Sequence, residues 1–384
     1  MYSILLVIIY LAFISLGLPD SLLGSAWPVL HKDLNVSISS VGILTMIISF
    51  CTIFSSLNVD SLSKKFGTAM LTFISVLTTA IALFGFSISS NFYILCILCI
   101  PYGLGAGAVD AAINNYVALH YSSKHMSWLH CFWGVGASIS PFIMSYAISN
   151  YTWNFGYRAV SYLQIFLALT IFFSIPLWKK RGTNTSEEEN SKALRLKDAI
   201  KIKGVTLVLF CFFGYCALEA TTGLWATTYL VEFKNVTPAV AAKFASFFYL
   251  GITFGRFVCG FITEKVGDEK LIKYGIFTIF VGIIFLLIPF GNIFSLCGLI
   301  IIGIGCAPIY PSIIHSTPSN FGAENSKAII GIQMASAYVG ATFAPPVFGL
   351  ITKIFSISLY PIYLLIFAII MLVMVNKLKK VKAV

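Results

Sequence analysis

The sequence predicts an all-α integral membrane protein: twelve transmembrane helices in two six-helix bundles, related by a parallel pseudo-two-fold repeat. Three observations predict it. Hydrophobic residues make up 58% of the 384 residues and charged residues 10%, against about 45–50% and about 25% in soluble domains; mean hydropathy is +0.92. So few charges cannot cover a water-facing surface, which excludes a soluble enzyme, a nucleic-acid-binding protein and a disordered chain. Apolar runs of the roughly 20 residues needed to cross a bilayer core then recur twelve times. Finally, short motifs return about 200 residues later, six helices on, so the second copy keeps the orientation of the first.

In chain order, helices 1 to 6 are expected near 3–29, 38–58, 68–88, 91–118, 127–150 and 158–178, and helices 7 to 12 near 204–231, 238–262, 271–290, 293–315, 327–351 and 355–376. Long continuous runs rule against a β-barrel, whose strands alternate over about ten residues. The division is an N-terminal bundle 1–178, a cytoplasmic linker 179–203 and a C-terminal bundle 204–384, with no room for a soluble catalytic module. The repeat pairs Lys65-Phe66-Gly67 with Lys265-Val266-Gly267, Gly103-Leu104-Gly105 with Gly303-Ile304-Gly305, and the Gly136–Pro141 stretch with Gly340–Pro345. Of the 25 basic residues behind the net charge of +11, 19 fall on the side of the linker and tail and 5 on the other, with Arg256 inside a span. Basic residues mark the cytoplasmic side, so both termini are expected there, in a plasma membrane, with no cleaved leader. The linker's basic stretch from Lys192 to Lys203 reads as a strap drawn to anionic lipid. The nine cysteines fall in apolar runs; Cys96 and Cys99 have metal-ligand spacing but no second pair nearby, so no metal or cofactor is expected.

The chemistry follows the same order. Asp20 in helix 1, Asp110 in helix 4 and Glu219 in helix 7 each cost about 2.5–3.5 kcal/mol at the bilayer centre, so they must face the bundle interior or water. On helix 4, Gly103, Gly107, Asp110 and Asn114 share one face, the glycines admitting a close neighbour and the last two forming a polar pair. Helix 5 opens Trp128-Leu129-His130-Cys131-Phe132-Trp133; His130 can hydrogen-bond a hydroxyl or carry a proton, and Trp133 joins it as a candidate substrate contact. In helix 7, Trp225 offers a flat apolar face to a sugar ring. On helix 8, Arg256 stands one turn before Gly260 and two before Glu264-Lys265; it is expected to pair with Glu264 or with helix-end carbonyls and, with Lys265, to hold the inner gate. Gln333 on helix 11 is a candidate cavity residue.

Gly260-Phe261-Ile262-Thr263-Glu264-Lys265-Val266-Gly267 resembles the cytoplasmic signature G-x-x-x-D-[RK]-x-G of the major facilitator superfamily, with Glu for Asp. The first-half copy departs further, with Asp60 in the Gly position and Lys64 in the acid position. Within that superfamily the segments Asp110-Ala-Ala-Ile-Asn114-Asn115, Leu129-His130 before Gly136-Ala137, and Tyr215 through Glu219 to Trp225 are similar to the fucose-permease-like branch and its sodium-dependent glucose transporters. The resemblance implies that acids of helices 1 and 4, here Asp20 and Asp110, serve coupling and sugar binding, and it gives sodium a share beside the proton.

These readings make the chain a non-enzymatic, cation-coupled symporter of a small polyhydroxylated solute, a monosaccharide, working by alternating access. Proton or sodium would be coupled through Asp20, Asp110 and Glu219. Asp20, Asp110, Asn114, His130, Trp133, Glu219, Trp225 and Gln333 would form the substrate site. The expected setting is monomeric, in a bacterial bilayer, with no nucleic-acid partner. The alternative is proton-coupled efflux of lipophilic compounds, whose antiporter Gly-Pro motif in helix 5 is broken here, since Ser140 precedes Pro141.

Overall fold

A computed structural model describes residues 2–121, 123–178, 200–289 and 291–382. The linker residues 179–199, including the basic stretch up to that point, lie outside the described residues. The described chain is helical, with twelve helices long and apolar enough to cross a membrane. We label them α1 (Ile4–Asp33), α2 (Ile38–Ser56), α3 (Thr68–Ile88), α4 (Phe92–Asn114), α5 (Trp128–Asn150), α6 (Trp153–Trp178), α7 (Val205–Glu232), α8 (Pro238–Thr263), α9 (Asp268–Leu287), α10 (Asn292–His315), α11 (Ile332–Ile354) and α12 (Ile357–Val381). Helices are the way for such apolar runs to satisfy every backbone polar group without water. The large apolar side chains that remain exposed, such as Phe54, Phe166, Phe254 and Phe261, are suited to lipid. The chain is a multi-pass membrane protein.

Several helices outrun or break the expected limits. α1 continues to Asp33 but is interrupted at Ser21, just after Pro19, because proline removes a backbone donor and crowds the preceding turn. α10 breaks at Ala307–Pro308 for the same reason. The helix carrying α11 begins at Ala323, and a short helix, Val59–Phe66, occupies what the hydropathy pattern leaves as a loop after α2.

The repeat is written into the backbone. Gly67 and Gly267 end the helices before α3 and α9 with nearly the same dihedrals, φ 78° ψ 151° and φ 83° ψ 148°, a region that side-chain-bearing residues rarely enter. Gly103 packs on the Ile48 carbonyl and Gly303 on that of Phe248; Gly105 packs on Ser75 and Gly305 on Gly275. Each contact thus recurs with both partners displaced by 200. A Cβ at either copy would strike backbone, so α4 meets α2 and α3 as α10 meets α8 and α9.

Between the bundles, α1 packs on α7, α2 on α11 and α5 on α8. These contacts reach the face opposite the termini, called here the far face. Gly24 lies on the Gly223–Leu224 backbone, Gly42 on Pro346, and Ser145 Oγ donates to the Ala239 carbonyl at 2.7 Å. Lys32 and Glu232 close the far end with an ion pair at 2.8 Å. Toward the terminal face, a Cβ at Gly260 on α8 would meet nothing within 4 Å.

Candidate functional site in the central cavity

The break in α1 sets Asp20. Gly17 packs on the Trp133 carbonyl while Gly136 packs on the Ile14 carbonyl, so α1 and α5 approach through two reciprocal glycines. Ser21 Oγ donates to the Ala137 carbonyl at 2.7 Å, and Ser140 Oγ donates to the Leu18 carbonyl. With the helices pinned on both sides of the break, the Trp133 indole Nε1 donates to Asp20 Oδ2 at 2.7 Å. Asp20 is exposed although it lies midway along α1; it opens onto the space between the bundles.

From Trp133 the array crosses to the C-terminal bundle. The Arg256 guanidinium stands over the Trp133 ring, 5.4 Å from its centroid, a cation–π geometry. Its Nη2 is 3.9 Å from Glu219 Oε1 and donates to the Tyr215 hydroxyl at 3.5 Å. Arg256 and Glu219 side chains are 11% and 18% exposed, so the pair works in a poorly hydrated setting. Tyr249 meets the Trp133 ring edge-on with centroids 6.3 Å apart.

Asp110 borders the same space. Asn114 Nδ2 donates to its Oδ1 at 2.8 Å, the one-turn pair the spacing predicts. Asp110 lies in electrostatic range of Asp20, and across the cavity of Tyr310 and Tyr338; Glu219 is also in range of Asp20. His130 meets Phe13 edge-on at 5.6 Å and faces Tyr310 at 6.3 Å. Three carboxylates and one guanidinium therefore converge on one space. A surplus of negative charge in one space is relieved by a cation or by protons.

Asp20, Asp110, Asn114, His130, Trp133, Glu219 and Arg256 are thus brought together, and two candidates are not. Trp225 is fully buried, donates Nε1 to the Pro345 carbonyl at 2.9 Å and packs edge-on against Phe348; it is a wall of the C-terminal bundle and presents no free face to a solute. Gln333 is fully buried and exchanges hydrogen bonds with Thr317 at 3.0 and 3.1 Å, so it ties α11 to the short helix Thr317–Phe321 that follows α10 instead of lining the cavity. Arg256 has the acid Glu219 beside it; the expected partner Glu264 has its side chain outside the described residues. Lys265 is exposed at the end of α8. Tyr215, Tyr249, Tyr310 and Tyr338 were absent from the sequence candidates. The repeat offset gives one route to them, since Tyr310 stands 200 residues from Asp110.

Comparison with known proteins places this geometry in context. The model of the Major Facilitator Superfamily matches residues 9–345 and 208–381. The chain is 24% identical over 291 residues to Bypass of stop codon protein 6 of Saccharomyces cerevisiae, covering 67% of this chain and 56% of that protein, so it spans little more than half of that relative. It is 22% identical over 310 residues to the glucose/mannose transporter GlcP of Bacillus subtilis, covering 79% and 77%. It is 22% identical over 356 residues to the quinolone resistance protein NorA of Staphylococcus aureus, covering 89% and 87%. Among solved structures, a point mutant of the nucleoside transporter NupG superposes with a TM-score of 0.77 at 15% identity, covering 97% and 98%. An inward-facing, unoccupied bacterial homologue of the human lysosomal transporter Spinster gives 0.77 at 12%, covering 99% and 98%.

Proposed function

The chain belongs to the Major Facilitator Superfamily, and on that premise we propose that it is a cation-coupled symporter of a small polyhydroxylated solute, a monosaccharide, carried by alternating access. The observation that carries this reading is the array Asp20–Trp133–Arg256–Glu219, which runs from one bundle to the other with Asp110 and Asn114 beside it. Carboxylates, an amide and an imidazole accept and donate at fixed geometry, which suits hydroxyl groups; Trp133 and Tyr310 offer rings to the apolar face of a sugar. The similarity to GlcP, a glucose/mannose transporter by name, supports the same solute class.

Coupling follows from where the array crosses. Asp20 and Trp133 ride on one bundle, Arg256 and Glu219 on the other, so rocking changes the distance between the guanidinium and the N-terminal acids. A proton or sodium ion on Asp20 or Asp110 offsets their mutual repulsion. It drives transport because its affinity differs between the two openings. Both termini face the cytoplasm, following the basic residues, which makes the terminal face the inward one, in a bacterial plasma membrane. Glu264 and Lys265 at the end of α8 act as the inner gate, and the monomer is the working unit.

The second reading, proton-driven efflux of lipophilic compounds, draws on the similarity to NorA and on the aromatic cluster of Phe212, Tyr215 and Tyr310. Proteoliposomes separate the two. Uptake of labelled glucose, galactose, fucose and mannose is measured under an inward proton gradient and, separately, an inward sodium gradient. Accumulation of one sugar above equilibrium supports symport and identifies the ion. No sugar uptake by folded protein, together with drug-dependent proton movement, would replace symport with efflux.

A further inference from the structure

The far-face ion pair joins repeat-equivalent residues. Lys32 ends α1 and Glu232 ends α7, 200 residues apart, and their side chains meet at 2.8 Å. Two turns deeper, Gly24 lies on Leu224, again 200 residues on. Residues related by a two-fold can touch one another only beside the axis. Both contacts therefore mark the pseudo-two-fold on the far side, where rotation of one bundle against the other first parts them.

Each half of the pair is fastened to its own bundle by its neighbours. Asp33 Oδ2 accepts from the Trp153 indole at 2.7 Å, and the Trp27 indole donates to the Ile38 carbonyl at 2.7 Å, which hold the end of α1 to α6 and to the start of α2. On the other bundle, Lys234 Nζ donates to the Ile288 carbonyl at 2.7 Å, Tyr229 donates to the Leu286 carbonyl at 3.3 Å, and Trp225 to Pro345 at 2.9 Å. Those anchors keep the helix ends from fraying, so separation of Lys32 from Glu232 requires the bundles themselves to part. The other titratable groups beside the pair are Asp33 and Lys234, each bonded within its own bundle, and His31, which feels both charges.

We propose that Lys32–Glu232 is the outer latch of the transport cycle, closed here and broken each time the far side opens. It takes from the preceding section only that the bundles rock, not the identity of the solute. Its partners are 57% and 30% exposed, so the latch is weak enough to open in every cycle. Neutralising one partner of such an exposed pair should shift the closed-to-open ratio by about 2- to 5-fold. Reversal of one charge sets like charges against each other and should shift it further.

The test is hydrogen exchange by mass spectrometry on the full chain in lipid nanodiscs, without substrate. Lys32→Gln and Glu232→Gln should each speed exchange of amides in 22–33 and 223–232 by about 2- to 5-fold, leaving 68–88 inside the N-terminal bundle unchanged. Lys32→Glu should speed it more, and the swap Lys32→Glu with Glu232→Lys should return it to within about 2-fold of the parent. If Lys32→Glu misfolds, seen as faster exchange throughout the chain, the two neutral variants and the swap decide alone. Unchanged exchange at both far-side segments in the neutral variants, or a swap as fast as the single reversal, would overturn the latch. Because no solute is present, that outcome is distinct from failure of sugar uptake.

Discussion

Removing the acid that faces Arg256 tests whether the central array is an energetic unit or a set of neighbours. At 3.9 Å, two unit charges attract by about 4 kcal/mol at an effective dielectric of about 20. The side chains are 11% and 18% exposed, so water recovers part of that. Breaking a buried pair from one side costs about 3–5 kcal/mol because the survivor is left uncompensated. Arg256 keeps the Trp133 face, worth about 1 kcal/mol. Glu219→Gln should then destabilise by about 2–3 kcal/mol. Adding Arg256→Met removes the stranded charge, and the double variant should return to within about 1 kcal/mol of the parent, a coupling of about 2 kcal/mol. Cys99, Cys211 and Cys306 are free and buried, so a thiol-reactive fluorophore reports unfolding on heating. At about 2 °C per kcal/mol for a chain of this size, the single variant should melt about 5 °C lower and the double within about 2 °C of the parent. A single variant with an unchanged midpoint, or a double that falls by the sum of the two singles, would refute the array.

Asp20→Asn keeps an acceptor for the Trp133 indole and removes the charge, so gradient-driven accumulation should fall to equilibrium while the fold persists; normal uphill uptake in the vesicle assay removes Asp20 from coupling. Gly103→Val and Gly303→Val push a side chain into the Ile48 and Phe248 carbonyls respectively; each should cost about 1–3 kcal/mol, and the two thermal shifts should agree. A marked difference between them would deny that the contacts are equivalent. Trp225→Phe loses a buried hydrogen bond and should cost about 1–2 kcal/mol with sugar selectivity unchanged, whereas Trp133→Phe frees Asp20 and should impair transport; the reverse pattern in binding titrations would return Trp225 to the solute site.

The fold was legible because its determinants are one-dimensional. Twelve apolar runs, their charged ends and a 200-residue offset are properties of the string, and each has a direct physical consequence in a bilayer. Asp20, Asp110 and Glu219 were legible for the same reason, because a charge in an apolar run must find company wherever it points. The partners were not. Trp225 and Trp133 look alike in sequence, each an indole in a glycine-bearing helix. Which one faces the cavity depends on helix rotation, set by contacts such as Gly17 on the Trp133 carbonyl and Phe348 beside Trp225. Gln333 looked like a polar cavity residue until Thr317, on the far side of a turn, supplied its partner. The nearness of Arg256 to Glu219 was hidden for the same reason, because the string shows neighbours along α8 and not the approach of α7.

The repeat also explains why the two bundles need not share the work equally. Asp20 and Glu219 occupy matching depths of α1 and α7, yet one accepts from an indole and the other faces a guanidinium. At the next matching pair, Asp110 stands opposite Tyr310, an acid against a phenol. A symmetric frame thus carries asymmetric charge: among the described residues, Asp20 and Asp110 of the N-terminal bundle have no ion-pair partner, and Arg256 of the C-terminal bundle has its acid already beside it. Arg256 already offsets the charge of Glu219, whereas Asp20 and Asp110 face each other with like charge. If the proposed symport holds, cation coupling belongs to the N-terminal bundle. Glu219 instead fixes where Arg256 stands when the bundles close.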